Sequence, residues 1–188
     1  MEGASFSLIV KDVHNGETVF AYDTLRQLTP ASVMKTVTTA TALEILGEDY
    51  RFPTTLAYDG SIEKGLLKGN LYIKGSGDPS LGSAHFAPYH KRFLQEWISA
   101  LKKVGIHKIQ GAVIADESIF DTEGTSFKWV GEDMGSYYGA GSYGLCVFDN
   151  LYKLGLQTGA PGSRPKLKGT EPELSGIHFH NYLTAQQV

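Results

Sequence analysis

The chain has 188 residues, 41% hydrophobic and 20% charged, a globular composition large enough for one domain or two small ones. A net charge of −3 with acids and bases interspersed excludes the basic field that nucleic acid or an anionic membrane surface would need. The single cysteine, Cys146, excludes an internal disulfide framework, and no apolar run approaches the ~20 residues of a membrane-spanning helix. MEGASFSLIV has neither the basic n-region nor the cleavage site of a signal peptide, as would also be true of an exported protein without its leader.

In chain order, SFSLIVKDV and ETVFAYDT joined through His14-Asn15-Gly16 predict a β-hairpin, because Asn and Gly both tolerate positive φ in a tight turn. LTPASVMKTVTTATALEILGEDY predicts a helix with Thr29 as N-cap, Pro30 at the first helical position and Gly47 as the stop. Thr, Ala and Val fill this helix in place of charge, which predicts burial on most sides. FPTTLAYDG, GLLKGNLYIKGSG and KIQGAVIADES predict strands bounded by Gly and Asp turns. Between the last two, YHKRFLQEWISALKKVG predicts an amphipathic helix with Phe93, Trp97, Ile98, Leu101 and Val104 on one face and Gly105 as its stop. From Asp121 onward the chain is rich in Gly, Ser and Tyr and weakly periodic, with GAPGSRPK as a loop. Alternation of strand, helix and strand after residue 52 implies a small α/β unit distinct from the hairpin and helix before it.

Four segments match Ser-x-x-Lys: Ser32/Lys35, Ser61/Lys64, Ser99/Lys102 and Ser163/Lys166. Ser61 lies in the turn DGSIEKG, Pro165 bars a helix through the Ser163 pair, and Ser99 sits mid-helix beside solvated lysines. Ser32 differs. Positions i and i+3 of a helix share a face, so its hydroxyl and the Lys35 amine can meet. An apolar helix would desolvate that amine and favour its neutral, basic form. Backbone N–H groups of the first turn lack intrahelical partners and can face an oxyanion. On these residues alone, an acyl-transfer pair and a capping serine beside a solvent-seeking lysine are equally open.

Other patterns carry less. GAGSYG, residues 139–144, matches G-x-G-x-x-G, but no strand leads in and no helix leaves. GSGDPSLG follows a strand, yet Asp78-Pro79 reads as a turn. His178 and His180 lack a third ligand at metal spacing and read as two histidines on one face of a strand; neither metal nor cofactor is called for.

LTPASVMKTVTTATALEILGEDYRFPTTLAYDG, then GLLKGNLYIKGSGDPSL, then GAVIADESIFD closely resembles the class C low-molecular-mass penicillin-binding proteins, the D-alanyl-D-alanine carboxypeptidase/endopeptidases, from about Ser5 to at least Asn150. The resemblance implies that Ser32 is acylated by the substrate's penultimate D-alanine or by a β-lactam, with Lys35 as general base. It also implies that WVGEDMGSYYGAG lines a substrate side-chain pocket, with Asp133 meeting the distal ammonium of a diamino acid and Tyr138 beside it. The fold expected is α+β. A partial penicillin-binding/β-lactamase-like catalytic domain, residues 1–52, would be followed by an inserted α/β accessory domain, residues 53–188. The expected partners are peptidoglycan stem peptides and β-lactams, in the periplasm or elsewhere outside the cytoplasm.

The family's site also needs a Ser-x-Asn element and a Lys-Thr-Gly strand, and this sequence contains neither. The expectation is the N-terminal part of a longer protein, inactive and self-associating as it stands. Two other readings remain: a β-lactamase- or esterase-like serine hydrolase, and a non-catalytic module that binds cell-wall peptides.

Overall fold

The computed structural model describes residues 3–86 and 92–186, and the chain forms two compact units, Met1–Arg51 and Phe52–Val188.

In the first unit, β1 (Leu8–Lys11) pairs antiparallel with β2 (Thr18–Tyr22), placing Leu8 opposite Tyr22 and Val10 opposite Phe20. The turn uses its Asn and Gly differently from the simple Asn-Gly expectation. Only Gly16 takes a positive φ, +77°, while Asn15 contributes its side chain, accepting the Glu17 N–H at 2.9 Å. Helix α1 (Met34–Leu46) ends at Gly47, whose φ of +81° and N–H bond to the Leu43 carbonyl form the predicted stop. Its start differs from expectation. A 3-10 turn, Ala31–Val33, precedes it, and neither Thr29 nor any other side chain caps it. Ala31 has a φ of +46°, so the backbone bends there and α1 begins four residues after Pro30.

The expected burial of α1 is also absent. All of its residues are exposed, Val37 by 61% and Ile45 by 74%. A two-stranded hairpin is too small a layer to cover a helix. The threonines satisfy themselves locally: Thr38 Oγ1 donates to the Met34 carbonyl and Thr39 Oγ1 to that of Lys35.

The second unit begins with β3 (Thr55–Tyr58), β4 (Ser61–Glu63), β5 (Leu66–Lys68) and β6 (Leu71–Lys74); helix α2 (Phe93–Lys103) then leads to β7 (Lys108–Gln110) and β8 (Val113–Asp116). Two segments read as single strands are each two. GLLKGNLYIKG breaks at Gly69-Asn70 and KIQGAVIAD at Gly111-Ala112, and both step from one three-stranded sheet into another. The sheet orders are β4-β5-β7 and β3-β6-β8; β5/β7 and β6/β8 are parallel pairs, the others antiparallel. The steps require glycine because the two backbones touch: a Cβ on Gly111 would overlap the Gly69 carbonyl. Asn70 Oδ1 accepts the Ala112 N–H at 3.0 Å and joins the two steps.

Leu67, Leu71, Leu81, Phe93, Ile106 and Ala185 are the buried apolar residues of this unit among those described. The Phe93 ring meets Trp97 at 4.9 Å and Phe148 at 5.7 Å. The buried face of α2 is narrower than expected: Trp97 and Leu101 are half-buried, but Ile98 and Val104 are exposed. Residues 89–91 of that predicted helix lie outside the described residues.

The stretch expected to be irregular from Asp121 holds a further hairpin, β9 (Lys153–Gln157) with β10 (Lys166–Glu171), and GAPGSRPK forms its loop up to Pro165. Leu154 and Leu156 alternate about Gly155, but Gly169 falls where β10 would repeat Leu167, and glycine in both strands weakens the signal that would announce the pair.

Candidate active site

Of the four Ser-x-x-Lys segments, only the one at Ser32 brings its side chains together among the described residues. Lys35 Nζ donates to Ser32 Oγ at 3.0 Å. The decoys are occupied otherwise. Ser163 Oγ donates to the Ala160 carbonyl at 2.5 Å, and Ser61 Oγ faces Glu63 Oε1 at 3.5 Å. Ser32 sits in the 3-10 turn at the mouth of α1, immediately after left-handed Ala31, and Lys35 lies one turn on. A non-glycine residue held at positive φ costs on the order of 1–3 kcal/mol, and such strain clusters at functional sites. No sequence signal announced it, since alanine carries no preference for that conformation.

Hydroxyl and amine at this distance can exchange a proton, which is the geometry a serine nucleophile requires of its base. The desolvation expected for Lys35 is not supplied here, because both side chains are exposed.

Asp133 and Tyr138 lie in the second unit and also meet. Tyr138 Oη donates to Asp133 Oδ1 at 3.1 Å, and the Tyr137 ring stands edge-on to that of Tyr138 at 5.2 Å. Asp133 ends the 3-10 turn Gly131–Asp133, and Tyr138 lies within a second, Tyr137–Gly139. The ion pairs among the described residues are Arg26–Asp23, Lys68–Glu63 and Lys74–Asp116. Asp133 belongs to none of them.

The dismissed motifs fall in loops. Gly139–Gly144 has neither a strand before it nor a helix after it, and Asp78 Oδ1 accepts from the Ser80 N–H at 2.8 Å as a turn residue does. His178 and His180 lie in irregular chain, not on the strand expected, with the His180 ring stacked on Tyr182.

The sequence model of the D-Ala-D-Ala carboxypeptidase 3 (S13) family matches residues 1–187. A D-alanyl-D-alanine carboxypeptidase from Actinomadura sp. (strain R39) is 33% identical over 147 residues, 78% of this chain and 26% of the relative. The D-alanyl-D-alanine carboxypeptidase DacB of Haemophilus influenzae is 29% identical over 133 residues, 71% of this chain and 26% of that protein. The chain thus spans about a quarter of the length of these curated relatives. Among solved structures, penicillin binding protein 4 (dacB) from Haemophilus influenzae is similar with a TM-score of 0.72 and 28% identity, covering 85% of this chain and 34% of the other. The same protein complexed with a novel beta-lactam is similar with a TM-score of 0.63 and 26% identity, covering 89% and 32%.

Proposed function

The chain belongs to the D-Ala-D-Ala carboxypeptidase 3 (S13) family, and from that membership we propose a serine D-Ala-D-Ala carboxypeptidase/endopeptidase that cleaves peptidoglycan stem peptides through an acyl-enzyme on Ser32. The observation that carries the reading is the 3.0 Å hydrogen bond between Lys35 Nζ and Ser32 Oγ. Neutral Lys35 takes the hydroxyl proton as Ser32 Oγ attacks the carbonyl carbon of the penultimate D-alanine. The peptide C–N bond then breaks, and the terminal D-alanine leaves with a proton on its amine. Water hydrolyses the resulting ester and restores Ser32. A β-lactam enters the same attack through its ring amide, and the beta-lactam complex of the Haemophilus influenzae relative supports that part of the reading.

Residues 1–52 would be the hairpin and nucleophile helix of the catalytic domain, and residues 53–188 an accessory region inserted into it. Asp133 would hold the distal ammonium of the peptide's diamino acid, with the Tyr138 hydroxyl fixing the carboxylate. A protein with this substrate works outside the cytoplasm, where peptidoglycan lies. The activity belongs to a chain that also carries Ser-x-Asn and Lys-Thr-Gly elements, which this sequence lacks.

Fluorescent penicillin tests the reading in such a chain. Covalent label on Ser32 supports an acyl-transfer enzyme. Reversible binding of stem peptides without label would replace it with a binding module.

A further inference from the structure

Two short turns follow one another in the Asp133 segment. In the first, the Asp133 N–H donates to the Val130 carbonyl at 3.1 Å; in the second, the Gly139 N–H donates to the Ser136 carbonyl at 2.9 Å. Between them the Asp133 carbonyl accepts the Ser136 N–H at 2.9 Å. The chain folds back so tightly that Gly139 is buried against the Asp133 peptide. A Cβ at position 139 would overlap the Asp133 carbonyl and come within 3.2 Å of Met134 Cα. Both obstacles are backbone, so relief requires the turns to separate rather than a side chain to swing aside. Gly131 and Gly135 lie in the same segment, and a Cβ on either meets nothing within 4 Å.

The geometry points to Gly139 as the positioning residue of the Asp133–Tyr138 pair. Its missing side chain lets the Tyr137–Gly139 turn lie on the Asp133 peptide, and that contact brings the Tyr138 hydroxyl to the Asp133 carboxylate. Glycine is needed here for close approach, since its φ is not in the left-handed region. The consequence for ligands rests on the proposed reading of Asp133 as an ammonium acceptor: a side chain at 139 impairs recognition of amine-bearing peptides without entering the pocket itself.

The test uses the 188-residue chain, its Gly139→Ala variant and Gly135→Ala as the control. Nuclear Overhauser contacts between the Tyr138 ring and the Asp133 methylene report the pair directly. They are expected in wild type and Gly135→Ala and lost in Gly139→Ala, with the resonances of residues 55–74 unmoved in all three. Survival of the contacts in Gly139→Ala overturns the proposal. So does their loss in both variants, or loss of the resonances of residues 55–74, since position 139 would then serve the fold and not the pair. Titration with Nα-acetyl-L-lysyl-D-alanyl-D-alanine, against the same peptide acetylated on its ε-amine, reads the consequence. Gly139→Ala is expected to bind the free-amine peptide roughly tenfold more weakly and the acetylated one equally well, the loss of one charge-assisted contact. Equal weakening for both peptides overturns the positioning role. Wild-type chain that binds both peptides alike would remove the ammonium reading of Asp133, while the Overhauser contacts still decide the role of Gly139.

Discussion

Lys35 donates from Nζ to Ser32 Oγ across 3.0 Å, one turn along the same helix mouth, directly after the left-handed residue Ala31. The bond is local, joining residues three apart within the first unit. Catalysis by the pair additionally needs the amine to accept the hydroxyl proton, and Lys35 is exposed here.

The first prediction follows from the pair. In a chain with the Ser-x-Asn and Lys-Thr-Gly elements, Ser32→Ala and Lys35→Ala should each abolish penicillin acylation, because nucleophile and base act as one unit. Lys35→Arg should fail as well, since guanidinium remains protonated at working pH. Gel fluorescence after labelling measures this, and an arginine variant that still labels would remove Lys35 as the base.

Asp133→Asn, in the same background, should weaken turnover of peptides with a free diamino-acid amine by roughly tenfold to a hundredfold, about 1.5–3 kcal/mol for a hydrogen bond to a charged group. Simple D-Ala-D-Ala ligands should be spared. Comparison of kcat/KM for the two substrate types decides it, and equal losses would make Asp133 a structural residue.

The 188-residue chain alone should form no penicillin adduct and should self-associate through residues 5–46. Both edges of a two-stranded hairpin offer unpaired backbone groups, and the apolar residues of α1 beside it are exposed, Ile45 by 74%. Light scattering at micromolar concentration and mass spectrometry after labelling test the two parts separately. A stable monomer contradicts the association, and stoichiometric acylation of Ser32 contradicts the inactivity.

Acid should weaken the second unit at a defined place. Asp59 is held below the ordinary carboxylate range by the Asn70 N–H at 2.6 Å, then by the Tyr72 hydroxyl at 2.8 Å and the Asn70 side-chain amide at 3.1 Å, against a smaller opposing effect of desolvation. A folded value below the unfolded one contributes stability that is complete above about pH 4 and disappears as pH falls through the folded value. Asp116, lowered chiefly by the Ser118 hydroxyl and then by its N–H, acts in the same direction. Urea unfolding of wild type and Asp59→Asn at neutral pH and near pH 3 should show a smaller acid-induced loss in the variant. Parallel losses would show that this carboxylate does not set the acid sensitivity.

Much of the architecture was legible from sequence because it is local. Gly47 stops α1, both helices and the first hairpin lie where periodicity and turn residues put them, and Ser32 can reach Lys35 because i and i+3 share a face. The misreadings are equally specific. Thr29 looked like a cap, but the bend at Ala31 moves the start of α1 beyond it. The β9–β10 hairpin was hidden by Gly155 and Gly169 within its strands.

The amino-acid sequence by itself carried the family likeness and, through residue type and short spacing, the candidate pair Ser32/Lys35; Asp133 and Tyr138 were named only because that likeness implies them. Tertiary structure alone decided where Gly69 and Gly111 pass strands between sheets, and that Gly139 lies against the Asp133 peptide. It also decided that α1 is exposed despite its apolar composition. A helix can be written to be buried, but burial requires a second layer, and a layer is contributed by residues distant in the chain.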